Sequence, residues 1–143
     1  MTRATREDAW TLLVSQPVLI LATTAESGRP HLVPITFSPL DSRRIVSAVD
    51  AKPKATRELR RLENIRRDGR VSLLAHHYED DWSRLWWVRA DGTASVTETA
   101  PPGSIEALQS RYPQYADHVL GPWIVVEVER LSAWAAGKDP GRP

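Results

Sequence analysis

With 143 residues, 41% of them apolar and 26% charged, the chain has enough material for one domain with a sizeable core and too much hydrophobicity for disorder. A formal net charge of +1 excludes a global electrostatic pull toward nucleic acid or an anionic membrane, and the absence of cysteine excludes disulfides and thiol chemistry. The charge is focused all the same: residues 52–70 hold eight Lys or Arg against three Asp or Glu, which leaves the remainder net acidic.

Residues 1–10 carry charges throughout and predict no signal peptide. The longest apolar runs, 18–22 and 123–126, fall far short of the ~20 residues that span a bilayer, so a cytoplasmic protein is expected. Thr5 is expected to cap a first helix, with Glu7 and Asp8 at its positive end and Trp10, Leu13 and Val14 on its buried face. Gln16-Pro17 ends it. Residues 18–24 and 31–37, separated by Gly28, Arg29 and Pro30, read as strand, tight connection, strand. Pro39 and Asp41 mark a turn over 38–43, and 44–49 form the third strand.

The period then changes. Ala55, Leu59, Leu62 and Ile65 share one helical face, Pro53 suits the first helical position, and Glu63 with Arg67 makes an i,i+4 pair. Asp68-Gly69 closes this helix. Residues 70–77 alternate as a fourth strand, and a polar loop leads to Trp82 and a strand over 84–90. Asp91-Gly92 predicts a two-residue hairpin, because both central positions of that turn need positive φ, with 93–99 returning antiparallel. A second surface helix over 101–112 and a long strand over 123–134, with Ile124, Val126 and Val128 facing inward, complete the chain. Six or seven strands on short turns imply one antiparallel barrel or sandwich over residues 1–136, with 137–143 as a tail.

Chemistry concentrates between Ser47 and Arg57, where a strand ends and a helix begins. The first N–H groups of a helix lack partners and its dipole favours negative charge. Lys52 and Lys54 there bracket space for a phosphate, Thr56 and Arg57 add directional donors, and Ser47 reaches from the strand end. The same residues also fit a solvated basic face that binds nothing. His76, His77 and Tyr78 at a strand end are candidate proton donors, or an ordinary strand terminus. Glu79, Asp80 and Asp81 match no metal signature and read as an acidic loop. No glycine-rich phosphate loop or Gly-x-Ser-x-Gly elbow occurs. Trp86 and Trp87, adjacent in a strand, face opposite sides: one belongs in the barrel, the other at a dimer interface or in a second core beneath the helices.

Three stretches together carry a family resemblance. Ala22-Thr23-Thr24 with Gly28-Arg29-Pro30-His31-Leu32-Val33-Pro34 resembles the first hairpin of the pyridoxamine-phosphate-oxidase-like superfamily. Leu59-Arg60-Arg61 with Asn64-Ile65-Arg66-Arg67-Asp68-Gly69-Arg70-Val71-Ser72-Leu73-Leu74 resembles its helix and following strand. Asp81-Trp82-Ser83 through Trp86-Trp87-Val88-Arg89-Ala90-Asp91-Gly92 resembles the next hairpin. Within that superfamily the chain looks most similar to the group assigned to coenzyme F420, a deazaflavin.

The resemblance implies a mainly β, six- to seven-stranded antiparallel split β-barrel of the FMN-binding type. It further implies a homodimer with cofactor sites at the interface, while the residues themselves give no expectation of a metal, nucleic-acid or membrane partner. Ser47, Lys52, Lys54, Thr56 and Arg57 match the segment that holds the cofactor phosphate, although relatives often carry Arg-x-Lys where this chain has Lys52-Pro53-Lys54. Val33, Pro34 and Ile35 match the strand lying along the ring system, and Trp82 or Trp86 is implied to approach the ring from the partner. The residues after Trp134 do not resemble the extension that true pyridoxamine phosphate oxidases use on their substrate, so vitamin B6 oxidation is not expected. The implied activity is F420-dependent hydride transfer to or from a small unsaturated organic molecule. An FMN oxidoreductase of the same fold, or a non-catalytic carrier of flavin, deazaflavin or haem, stands as the alternative.

Overall fold

The computed structural model of the chain describes residues 3–50, 56–118 and 120–136. Its elements, in chain order, are α1 (Arg3–Ser15), β1 (Leu19–Thr24), β2 (Pro30–Ile35), β3 (Ser38–Pro39), β4 (Arg44–Asp50), α2 (Thr56–Arg67), β5 (Arg70–His77), β6 (Trp86–Thr97), α3 (Ser104–Arg111) and β7 (Leu120–Ala135). Short 3-10 turns at Trp82–Arg84 and Pro113–Tyr115 precede β6 and β7. All strands lie in one antiparallel sheet, in the order β2-β1-β5-β6-β7-β4-β3. The first and last strands in that order are consecutive in the chain, joined by Thr36 and Phe37 alone. Three Cα steps reach at most about 11 Å, so the two edges of the sheet must converge there. The sheet curls into a barrel that is split between β2 and β3, as expected from the strand count and the short turns.

Alternation decides what fills it. Leu19, Leu21 and Thr23 of β1, Val71, Leu73 and Ala75 of β5, and Val88, Ala90 and Ala94 of β6 are buried. They meet Ile124, Val126 and Val128 of β7, together with Leu13 of α1 and Leu62 and Ile65 of α2. A second, smaller core lies on the other face of β4 and β7, where Val46 and Trp123 pack with Leu108 of α3. Trp123 is thus the tryptophan beneath a helix, whereas Trp86 packs against the main core and Trp87 lines the outer face. No helix among the described residues is long and apolar enough to cross a membrane.

The helix α2 is fixed on β1 by a polar clasp. Asn64, only 6% exposed, donates from Nδ2 to Thr23 Oγ1 at 3.0 Å, and Arg67 donates to the Thr24 carbonyl at 2.6 Å. Arg67 also reaches Asn64 Oδ1 at 3.2 Å, so its guanidinium is committed to β1 and Asn64 and not to the expected pair with Glu63. An Arg that can satisfy an otherwise bare carbonyl gains more than a solvated i,i+4 pair offers. Thr5 is likewise not a cap. The helix α1 already starts at Arg3, which places Thr5 inside its first turn and leaves that turn without an acidic residue. Pro53 and Ala55 lie outside the described residues.

The Asp91-Gly92 hairpin does not form. The strand β6 runs straight through both residues to Thr97, paired with β7 on one side and with β5 on the other. At this point the register with β7 passes from Asp91↔Arg130 to Gly92↔Val128, skipping Glu129 in a β-bulge. The bulge presses the two backbones together: a Cβ on Gly92 would lie 2.2 Å from the Glu127 carbonyl oxygen. Glycine is required here by space, not by a positive φ. Gly92→Ala should therefore destabilise the fold by about 1–3 kcal/mol, the range for overpacked interiors, as measured by urea unfolding.

Three carboxylates hold turns together, Asp41 and Asp81 exposed and Asp68 half-buried. Arg70 closes the end of α2 on Asp68, and this side-chain hydrogen bond, followed by the Arg70 backbone N–H, lowers the Asp68 pKa from 3.8 to about 2. Asp41 is lowered by the Arg43 N–H and the Arg44 side chain, and Asp81 by Ser83. A folded pKa below the unfolded one contributes stability that is complete above the unfolded value and lost as pH falls through the folded value. Thermal stability should thus decline from about pH 3.8 toward pH 2, modestly and less so in high salt. In Asp68→Asn the decline should be shallower, read from melting temperature against pH.

Candidate functional site

At the split of the barrel, residues from four elements surround a cavity of about 180 Å³. Pro34 and Ile35 come from the end of β2, Thr36 from the link that follows it, Ser47 and Ala48 from β4, Arg61 from the second turn of α2, and Tyr115 from the 3-10 turn after α3. Pro34 is tolerated because β2 is an edge strand, paired with β1 alone. Ser47 is 3% exposed, and its hydroxyl donates to the Thr36 carbonyl at 2.7 Å. The Thr36 and Tyr115 hydroxyls share a hydrogen bond of 2.7 Å. The wall is therefore a chain of hydroxyls linking β4, the β2–β3 link and the segment after α3, with a guanidinium from α2 beside it.

A clamp holds Tyr115 in place. The Tyr112 ring lies 5.8 Å from that of Tyr115, and its hydroxyl donates to the Pro17 carbonyl at 2.8 Å while accepting from the Phe37 N–H at 3.0 Å. Arg111 donates to the Val14 and Gln16 carbonyls at 2.8 and 2.6 Å, at the C-terminus of α1, where a cation is favoured by the dipole. Its guanidinium carbon stands 4.4 Å from the centroid of Phe37. Two consecutive side chains thus tie α3 to α1, to β1 through Pro17, and to the link that closes the sheet.

A second feature lies on the outer face of β2, β1, β5 and β6. There Ile20, Leu32, Leu74 and Trp87 floor an apolar groove of about 520 Å³, rimmed by His76, Tyr78 and Arg89. Leu32 is 62% exposed. The His76 and Tyr78 rings meet edge to face at 6.1 Å. His77 instead pairs with Glu79, which also faces Arg84 at 3.5 Å, and Asp81 accepts from the Ser83 N–H and hydroxyl. The acidic loop is thus engaged in local structure.

Of the residues expected at a coenzyme site, Pro34, Ile35 and Ser47 meet at the cavity. Val33 is turned toward the main core. Trp86 packs on that core too, so Trp87 and not Trp86 stands on the outer face, while Trp82 is 76% exposed in its 3-10 turn. Lys52 and Lys54 lie outside the described residues, as do the side chains of Thr56 and Arg57, whose backbone opens α2. The basic stretch is divided further along: Arg66 faces Glu98 at 3.7 Å, Arg67 holds Thr24 and Arg70 holds Asp68. Arg61, Thr36 and Tyr115 were not anticipated. Arg61 follows Arg57 by four residues, a helical spacing that signals a shared face. Tyr115 lies 79 positions from Thr36 and left no local signal.

The sequence model for pyridoxamine 5'-phosphate oxidase matches residues 6–135. The chain belongs to the pyridoxamine 5'-phosphate oxidase family. This family includes oxidoreductases. No curated protein matches the sequence at a significant level. Among solved structures, a conserved hypothetical protein of Mycobacterium tuberculosis is similar at 25% identity and a TM-score of 0.71, over 100% of this chain and 89% of that one. A FAD-binding protein of Mesorhizobium loti shares the fold at 19% identity and a TM-score of 0.62, over 89% of this chain and 90% of that one. A heme-binding protein of Mycobacterium smegmatis does so at 22% and 0.65, over 99% of this chain and 57% of that one. This family fold is used by proteins that bind flavin and by proteins that bind haem.

If the clamp carries the fold at this end, Tyr112→Phe should cost about 1–2 kcal/mol, since the Phe37 N–H and Pro17 carbonyl lose a shared partner. Arg111→Ala should cost more, because it bares two carbonyls at the end of α1. Chemical denaturation of both variants checks the order.

Proposed function

We propose that the protein is an oxidoreductase built around a phosphate-bearing flavin-type coenzyme, with coenzyme F420 exchanging hydride with a small unsaturated organic substrate. The observation that carries this reading is the convergence of Pro34, Ile35 and Ser47 on one polar cavity at the split. Its 180 Å³ is below the roughly 300–1,000 Å³ of pockets that enclose a whole drug-sized molecule. It suits a phosphate and a short length of chain, with the ring system left to the open edge of β2. The coenzyme when bound supplies the hydride. The residues of the chain bind and orient: Ser47 fixes the Thr36 carbonyl, the Thr36–Tyr115 hydroxyl pair offers a proton, and the strand end offers backbone. Lys52, Lys54, Thr56 and Arg57 are proposed to complete the phosphate site from the start of α2.

The outer face supports a dimer as part of the same proposal. Leu32 and Tyr78 are exposed at 62% and 61% along the apolar groove, and contiguous apolar surface of this kind marks an interface, while Trp82 is 76% exposed in the turn before β6. A second copy covering it would bring Trp82 toward its partner.

FMN in the same site is the second reading, favoured by the FAD-binding neighbour. A carrier that holds flavin or haem without turnover is favoured by the heme-binding one. Purified protein should quench deazaflavin fluorescence with saturation below tens of micromolar, bind one coenzyme per chain, sediment as a dimer, and reduce enones, quinones or nitroaromatics with reduced F420. A yellow preparation that releases FMN on heating would move the assignment to FMN. Binding without turnover would make the protein a carrier, and no saturable binding of any of the three would end the coenzyme reading.

A further inference from the structure

We infer that Arg61 and Tyr115, which line one cavity, together hold the phosphate of the coenzyme, so that the segment after α3 is part of the binding site. This rests on the coenzyme reading above and adds which side chains select the phosphorylated form. Among the described residues, Arg61 is the cation that lines this cavity. A planar guanidinium there offers paired donors to a phosphate, one helical turn deeper than Arg57. Tyr115 lines the same cavity. Its hydroxyl already shares a hydrogen bond with Thr36, and that hydroxyl pair has one proton to turn toward an anion while the other maintains the link. Ser47 spends its proton on the Thr36 carbonyl, so it supports this wall and is not itself a donor to the phosphate.

The position of Tyr115 is not left to chance. Its ring rests on Tyr112, whose hydroxyl is held by Phe37 and Pro17. A donor pre-set in this way loses little freedom when an anion arrives, and selectivity is then set by the charge of Arg61. A phosphomonoester, as in FMN, and a phosphodiester, as in F420, present the same oxygens to both residues. The shared chemistry is a phosphate ester on a ribityl-type chain.

The test compares each coenzyme with its phosphate-free counterpart: FMN with riboflavin, and F420 with its deazaflavin chromophore lacking the phosphorylated side chain. Dissociation constants are measured by fluorescence for the full chain, Arg61→Gln, Arg61→Lys, Tyr115→Phe, and Arg60→Gln as an exposed control of equal charge change. Arg61→Gln should weaken the phosphorylated form about 10- to 100-fold and leave the phosphate-free form unchanged, the loss expected for a charge-assisted contact. Tyr115→Phe should cost about 2- to 10-fold on the same form. Arg61→Lys should recover part of the loss, and Arg60→Gln should change little.

Equal weakening of both forms in Arg61→Gln, or no weakening of either, would overturn the inference, as would a parent protein that binds coenzyme with no preference for the phosphate. In each of these cases the coenzyme reading still stands. A parent protein that binds neither phosphorylated coenzyme would remove both.

Discussion

The link Thr36–Phe37 joins the strands at opposite ends of the sheet order, and both of its residues need partners that no neighbouring strand supplies. Buried backbone groups left without partners cost about 1–3 kcal/mol each, so the barrel closes only if something else meets them. Tyr112 receives the Phe37 N–H, Ser47 donates to the Thr36 carbonyl, and Tyr115 binds the Thr36 hydroxyl. Closure and site are consequently one construction. Of the three groups that satisfy the link, Ser47 and Tyr115 also line the cavity.

This construction draws on distant parts of the chain. Arg111 neutralises the C-terminus of α1 while stacking on Phe37, and the Tyr112 hydroxyl reaches Pro17, where the chain passes from α1 to β1. The second core under α3, around Leu108, Val46 and Trp123, holds that helix in position from the other side. The cavity at this junction has the edge strand β2 as part of its wall. The flavin- and haem-binding neighbours show how far one scaffold of this kind can vary in what it holds.

Most strands were legible because alternation is a local signal. Residues 70–77 and the inward set Ile124, Val126 and Val128 fell where their period put them. The misreadings share a cause. Asp91-Gly92 is chemically a hairpin turn, yet it became a bulge because Glu127 of β7 comes too close for a side chain, and β7 lies far along the chain. Glu63 and Arg67 have the right spacing for a pair, yet the bare Thr24 carbonyl competes for the guanidinium. Trp86 and Trp87 were separated correctly to opposite faces, but which face was inside depended on the register with β5 and β7.

For the site, the sequence by itself determined the antiparallel barrel, the cationic entry to α2 and three residues of the cavity, Pro34, Ile35 and Ser47. The barrel, the cationic entry and Ser47 are readable because strand period, charge clustering and helix polarity act over a few residues, whereas Pro34 and Ile35 came from the family resemblance. Only the tertiary structure decided that Arg61, Thr36 and Tyr115 join them, that Val33 and Trp86 turn to the core, and that the Ser47 proton is spent on Thr36. Those outcomes depend on which backbone groups sheet closure leaves unpaired, and closure is a property of how all seven strands register, which no short stretch of chain encodes.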